Sequence, residues 1–138
     1  MPEEEIQRAL HEGFSRQSLM ATFGAKLSRI APGEVEIEMP YSDRVGQQTG
    51  LVHAGAIAAI ADSACGGAAI TLWPDGSDVV SIEFKVNLLA PARGERFVAR
   101  AHVVRSGKTI SVCAADVFAI DGTNETLIAT MLGTMMRR

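Results

Sequence analysis

Only two of the 138 residues are cysteine, Cys65 and Cys113, and neither has a second cysteine or a histidine near it in the sequence. Neither a disulfide framework nor a zinc site can organise the fold, and a reducing cytoplasm is the expected compartment. Aromatic residues make up 5% and there is no basic run, so the stacking platform and electrostatic footprint of a nucleic-acid binder are both missing. The start, MPEEEIQRAL, is acidic where a secretory leader needs positive charge and an apolar core. No internal repeat or low-complexity tract is visible.

Hydrophobic residues make up 47% and charged residues 21%, with a net charge of −3, which excludes collagen-like and disordered classes. The length suits one core, so residues 1–138 are expected to form a single domain. Charge is uneven along the chain. Residues 1–90 carry 6 basic and 12 acidic side chains, whereas 91–138 carry 7 basic and 4 acidic. The positive C-terminal third suits either an anionic ligand or a solvated strand surface.

Residues 1–22 are expected to hold a packing helix, because Ile6, Leu10 and Phe14 recur in a helical rhythm behind Glu3, Glu4 and Glu5. Next, EVEIEM alternates strictly, which predicts a strand with Val35, Ile37 and Met39 on one face and Ala25 to Ile30 as its partner across Pro32-Gly33. A polar loop from Tyr41 to Val52 leads into a long apolar segment, 54–73, closed by the breaker Pro74-Asp75-Gly76. Beyond it, VVSIEFKVNLL predicts a strand with Val80, Ile82, Phe84, Val86 and Leu88 on one face and Ser81 among the polar residues of the other. Three more strands, Arg96 to Arg105, Thr109 to Ile120 and Glu125 to Met136, complete a four-strand meander. The last two alternate poorly and are expected to be covered on both faces.

Between Ala54 and Trp73 the one charged side chain is Asp62, amid eight alanines and three glycines. Such a segment has little affinity for lipid, and an Asp near its centre costs about 2.5–3.5 kcal/mol on the insertion scale. A helix buried in protein is therefore expected, not a membrane span. Apolar on all sides, it must be surrounded on all sides. The element order then predicts an α+β fold: a curved antiparallel sheet wrapped around one long central helix. Uncovered sheet edges and faces make an oligomer the expected state.

Asp62 carries the chemistry in this reading. A carboxylate in an apolar helix is either held by structural hydrogen bonds or set at a reaction site, where desolvation makes it a stronger base. The helix start, GLVHAGA, offers the second element. Small residues Ala54, Gly55 and Ala56 leave backbone N–H groups open to an oxygen, and a helix N-terminus stabilises developing negative charge. Gln47 and Gln48 upstream are either amide donors to a carbonyl or plain loop surface. His53 either holds the loop or takes part in catalysis. His11 and His102 show no partner, and Ser81 is better suited to positioning water than to nucleophilic attack. Asp62 lies eight residues past Ala54, about 12 Å along a helix. One reacting centre needs both within about 3 Å, so two antiparallel helices of a homodimer are expected to build the site together.

The segment GLVHAGAIAAIAD resembles the His-Gly-Gly motif and following acidic residue of hotdog-fold acyl-CoA thioesterases, most closely the phenylacetate-degradation (PaaI-like) group. His53 and Asp62 have the family's spacing, the element order matches the hotdog fold, and the resemblance runs from about residue 15 to the C-terminus. It implies hydrolysis of an acyl-CoA thioester, with Asp62 as general base or nucleophile and Gln47 near the thioester carbonyl. Ala54 N–H would be the oxyanion donor, although Ala stands here where the first Gly of the pair is usual. Ser81 would hold the attacking water, and Arg93, Arg105 and Lys108 would meet the CoA phosphates. The resemblance also implies a homotetramer built from dimers, with no metal and no cofactor beyond the coenzyme A of the substrate. Two other readings fit the same fold: a non-catalytic acyl-CoA sensor, and a dehydratase or hydratase that pairs His53 with a carboxylate. Nothing in the sequence distinguishes an aromatic from a short- or medium-chain acyl group.

Overall fold

The computed structural model describes residues 2–74 and 76–138. Its elements, in chain order, are α1 (Glu3–Ser15), α2 (Ser18–Phe23), β1 (Lys26–Ala31), β2 (Glu34–Pro40), α3 (Ala54–Thr71), β3 (Val79–Leu88), β4 (Arg96–Ser106), β5 (Ile110–Asp121) and β6 (Asn124–Arg137). The six strands form one antiparallel sheet in the order β1-β2-β4-β5-β6-β3, wrapped around α3.

The strand alternation does what period two requires. Val35, Ile37 and Met39 of β2, Phe97 and Ala99 of β4, Cys113, Ala115 and Val117 of β5, and Ala129, Met131 and Met135 of β6 are all buried against the helix. Facing them, Ile57, Ile60, Ala61, Ala64 and Ala68 of α3 are buried too. The helix comes close because its side chains are small. A Cβ on Gly67 would lie 3.4 Å from Val35, and one on Gly66 would lie 3.3 Å from Val79. By length and hydropathy α3 is apolar enough to cross a membrane, yet 56% of it is buried inside the protein.

Four expectations are corrected. The N-terminal segment is two helices, not one. Ser15 Oγ donates to the Glu12 carbonyl, and Gln17, with an extended backbone, starts α2. At its other end α2 stops at Gly24, whose φ of 66° is the left-handed region that glycine favours. α3 ends at Thr71, short of Trp73: the Thr71 hydroxyl donates to the Ala68 carbonyl and accepts from Gly33 N–H, tying the helix end to the β1–β2 turn. Asp75 of the expected breaker lies outside the described residues.

Nor do the last four strands form a simple meander. β4, β5 and β6 do, but β3 pairs with β6 at the far edge, and β4 pairs with β2. The connection after β3 is too long for a tight hairpin and crosses the end of the sheet, where Leu89 N–H donates to Ile128 O and Val52 N–H to Ala92 O. Finally, neither β5 nor β6 is covered on its outer face, where Asp116 is exposed and Leu132 is 54% exposed.

Candidate active site

β3 positions the first site residue through an irregularity. Ser81 pairs with Met135 and Glu83 with Thr134, so Ile82 is an extra residue in the strand, a β-bulge. Residues directly opposite each other share a face. Ser81 therefore lies on the helix side with buried Met135, and beyond the bulge Phe84 and Val86 lie on that side, opposite buried Gly133 and Met131. The expected face, with Ser81 among outward polar residues, is thus corrected: the bulge turns Ser81 inward. Its hydroxyl donates to Asp62 Oδ1 at 2.5 Å, and the Met135 sulfur lies at 3.4 Å.

Asp62 itself is half-buried, not enclosed. It sits on the stripe of α3 that faces the gap between the two sheet edges, β1 and β3, and opens into a cavity of about 720 Å³. Next to it Ser63 donates to Gln17 Oε1 at 3.0 Å, linking this stripe to the junction of α1 and α2. Gln17 is a site neighbour that no spacing in the sequence announces. On the buried side of the same turn, Cys65 is fully enclosed. Burial, then the nearby Cys113, then the Asp62 carboxylate push its thiol far above the usual range, and burial alone pushes the Cys113 thiol up to about 11.

At the start of α3, His53 is the N-cap: its Nδ1 accepts from Gly55 N–H at 2.7 Å, and its carbonyl accepts from Ala56 and Ile57. Gly55 has to be small, because a Cβ there would lie 2.9 Å from His53 Nδ1. The cap leaves Ala54 N–H as the donor without a protein partner among the described residues, at the positive end of the helix dipole. Ala54 and the half-buried Gln47 line a second cavity of about 300 Å³, together with Ile57, Leu88 and Leu89. Gln47 is held there by its own turn, with its N–H donating to Leu51 O and its carbonyl accepting from Gly50 N–H.

The predicted residues thus fall into two groups in one chain. Asp62 and Ser81 share the larger cavity, while Gln47 and Ala54 share the smaller. The three basic residues are not brought together. Arg93 lies in the connection before β4, whereas Arg105 and Lys108 lie at its other end, about 30 Å away at the rise of a strand. All three are exposed. Among the described residues no three His, Cys, Asp or Glu side chains group as metal ligands would.

The Thioesterase superfamily model matches residues 49–126, which include the His53 cap, α3 with Asp62, and Ser81. The chain belongs to the thioesterase superfamily. Among solved structures of thioesterases, a family protein from Silicibacter pomeroyi is 44% identical, with a TM-score of 0.92 over 96% of this chain and 97% of that one. Human acyl-coenzyme A thioesterase 13 is 31% identical over 118 residues, 81% of this chain and 84% of its own length. The PaaI protein of E. coli shares the fold, with a TM-score of 0.86 over 99% of this chain and 95% of that one, at 16% identity. The hotdog architecture and the hydrolase class that the thioesterase motif implied are therefore those of this chain's family.

Proposed function

We propose that this thioesterase hydrolyses acyl-CoA, with each reacting centre shared between two copies of the chain. The observation that carries the reading is the separation of the two groups: a carboxylate with its hydroxyl partner in one cavity, and a helix-terminal N–H without a partner among the described residues, with an amide side chain, in another. In this reading Gln47 and the Ala54 N–H of one copy polarise the thioester carbonyl, and Asp62 of the other attacks the carbonyl carbon, directly or through water held by Ser81. When water attacks, its proton goes to Asp62, the carbon–sulfur bond breaks, and that proton passes on to the leaving thiolate; when Asp62 attacks directly, the thiolate leaves as an acyl–Asp62 anhydride forms, and water then cleaves the anhydride to the free acid, restores the carboxylate and gives its proton to the thiolate. The named activity of the human relative supports an acyl-CoA substrate. The acyl group is aromatic or of short to medium length, no metal or further cofactor takes part, and dimers pair into tetramers. Arg93 of one end and Arg105 with Lys108 of the other are separate candidates for the CoA phosphates.

The dehydratase reading needs His53 as a base. Its Nδ1 is already the acceptor of the Gly55 N–H, which leaves only the other ring nitrogen. Free-thiol release from acetyl-, octanoyl- and phenylacetyl-CoA, compared between wild type and Asp62→Asn, tests the proposal. Thiol release that is lost in the variant is the expected result. Tight acyl-CoA binding without thiol release would make the protein a sensor, and an enoyl absorbance change without thiol release when 3-hydroxyoctanoyl-CoA is supplied would make it a dehydratase.

A further inference from the structure

The larger cavity has a wall that the catalytic reading does not use. It extends from Asp62 along α3 past Gly66 to Ile70, about 12 Å at the helical rise, and α1 closes it from outside with Leu10, Gly13 and Phe14. Its volume of about 720 Å³ lies within the range of about 300–1,000 Å³ that small-molecule sites occupy. Four glycines border it. Three have a reason in the structure: Gly66 lies against Val79, Gly67 against Val35, and Gly76 has a φ of 67°. Gly13 has none. It sits inside α1, where glycine is unfavourable, and a Cβ built on it would meet no atom within 4 Å. Apolar Leu10, Phe14, Leu27 and Ile70 line the cavity alongside charged Glu12 and Arg16, and the Asp62–Ser81 pair stands at one end.

We infer that the acyl chain of the substrate lies in this cavity along α3, and that the missing side chain at Gly13 sets the length it accepts, making a medium-length aliphatic acyl group the preferred class. The inference rests on the thioesterase reading only for the position of the carbonyl. A methylene that leaves water for such a cavity is worth about fourfold in binding or kcat/KM. A side chain added at Gly13 enters the space that the end of the chain needs. It also improves helix propensity, so the variants fold.

The test compares wild type, Gly13→Ala and Gly13→Leu on acetyl-, hexanoyl- and octanoyl-CoA, reading the octanoyl-to-acetyl ratio of kcat/KM. The ratio is expected to be well above one in wild type, to fall slightly in Gly13→Ala, and to fall at least tenfold in Gly13→Leu. An unchanged ratio in Gly13→Leu, or no rise with chain length in wild type, overturns the inference. Binding of the non-hydrolysable ethyl and octyl thioethers of CoA decides it separately from turnover. If no thioester is cleaved, the catalytic reading fails, while octyl-over-ethyl preference lost in Gly13→Leu still upholds the cavity; equal binding of the two thioethers refutes it.

Discussion

At the scale of residues, each side chain near α3 has a role fixed by what it touches. Asp62 is oriented by the Ser81 hydroxyl and opens into the cavity, so Asp62→Asn is expected to lower kcat by about 10²–10⁴ while leaving the melting temperature close to wild type. Ser81→Ala removes the bond that orients Asp62 and the hydroxyl proposed to hold the attacking water, but keeps the carboxylate. It should lower kcat less than Asp62→Asn does, with KM little changed, and steady-state kinetics on one acyl-CoA will rank the two. His53 separates capping from catalysis. His53→Ala should cost about 0.5–2 kcal/mol of stability, the usual loss of an N-cap. His53→Asn supplies another capping side chain and should recover both melting temperature and activity. An Asn variant that is stable yet inactive would give the imidazole a chemical part.

At the scale of elements, β2 is legible from its strict alternation, and β4, β5 and β6 from the turns at Ser106-Gly107 and Asp121-Gly122, but the division of β5 and β6 between core and solvent is not, because their alternation is weak. The strand with the most regular alternation misled. β3 carries a bulge at Ile82, and a bulge depends on the pairing with β6, not on the order of residues in β3. The alternation therefore puts Ser81 on the wrong face, and its bond to Asp62 is not legible from the sequence, which points to Ser81 only as a holder of water. The strand order was hidden for the same reason, since β3 joins β6 through contacts distant in sequence. The helix start was legible because capping is local, whereas the Gln17–Ser63 bond, 46 residues apart, left no local trace. Burial of the two cysteines gives a further prediction. With thiol pKa values raised by desolvation, both stay protonated near neutral pH and should not react with a thiol reagent until the protein unfolds. In the unfolded chain Cys113 ionises near 9.0, but in the folded protein near 11, so its contribution is present below pH 9.0 and lost as pH rises toward 11. Denaturation midpoints measured across that window should fall.

At the scale of the whole molecule, the sheet wraps α3 but leaves two surfaces that one chain does not cover. On the helix side of the edge strand β3, Phe84 and Leu88 stay 43% and 57% exposed, and on the outer face of β6 so does Leu132. An apolar edge strand of this length is a surface that proteins cover, and a second copy would cover it while bringing one helix start toward the other copy's carboxylate. The chain should accordingly sediment at no less than twice its 14.7 kDa mass. The most direct test of the shared reacting centre is complementation. Asp62→Asn and Gln47→Ala are each expected to lose about 10²-fold or more in thiol release from octanoyl-CoA. When the two are unfolded together and refolded in equal amounts, half of the dimers are mixed and each has one intact centre, so about a quarter of wild-type activity should return. Activity that stays at the average of the two separate variants would mean that each chain carries its own complete centre.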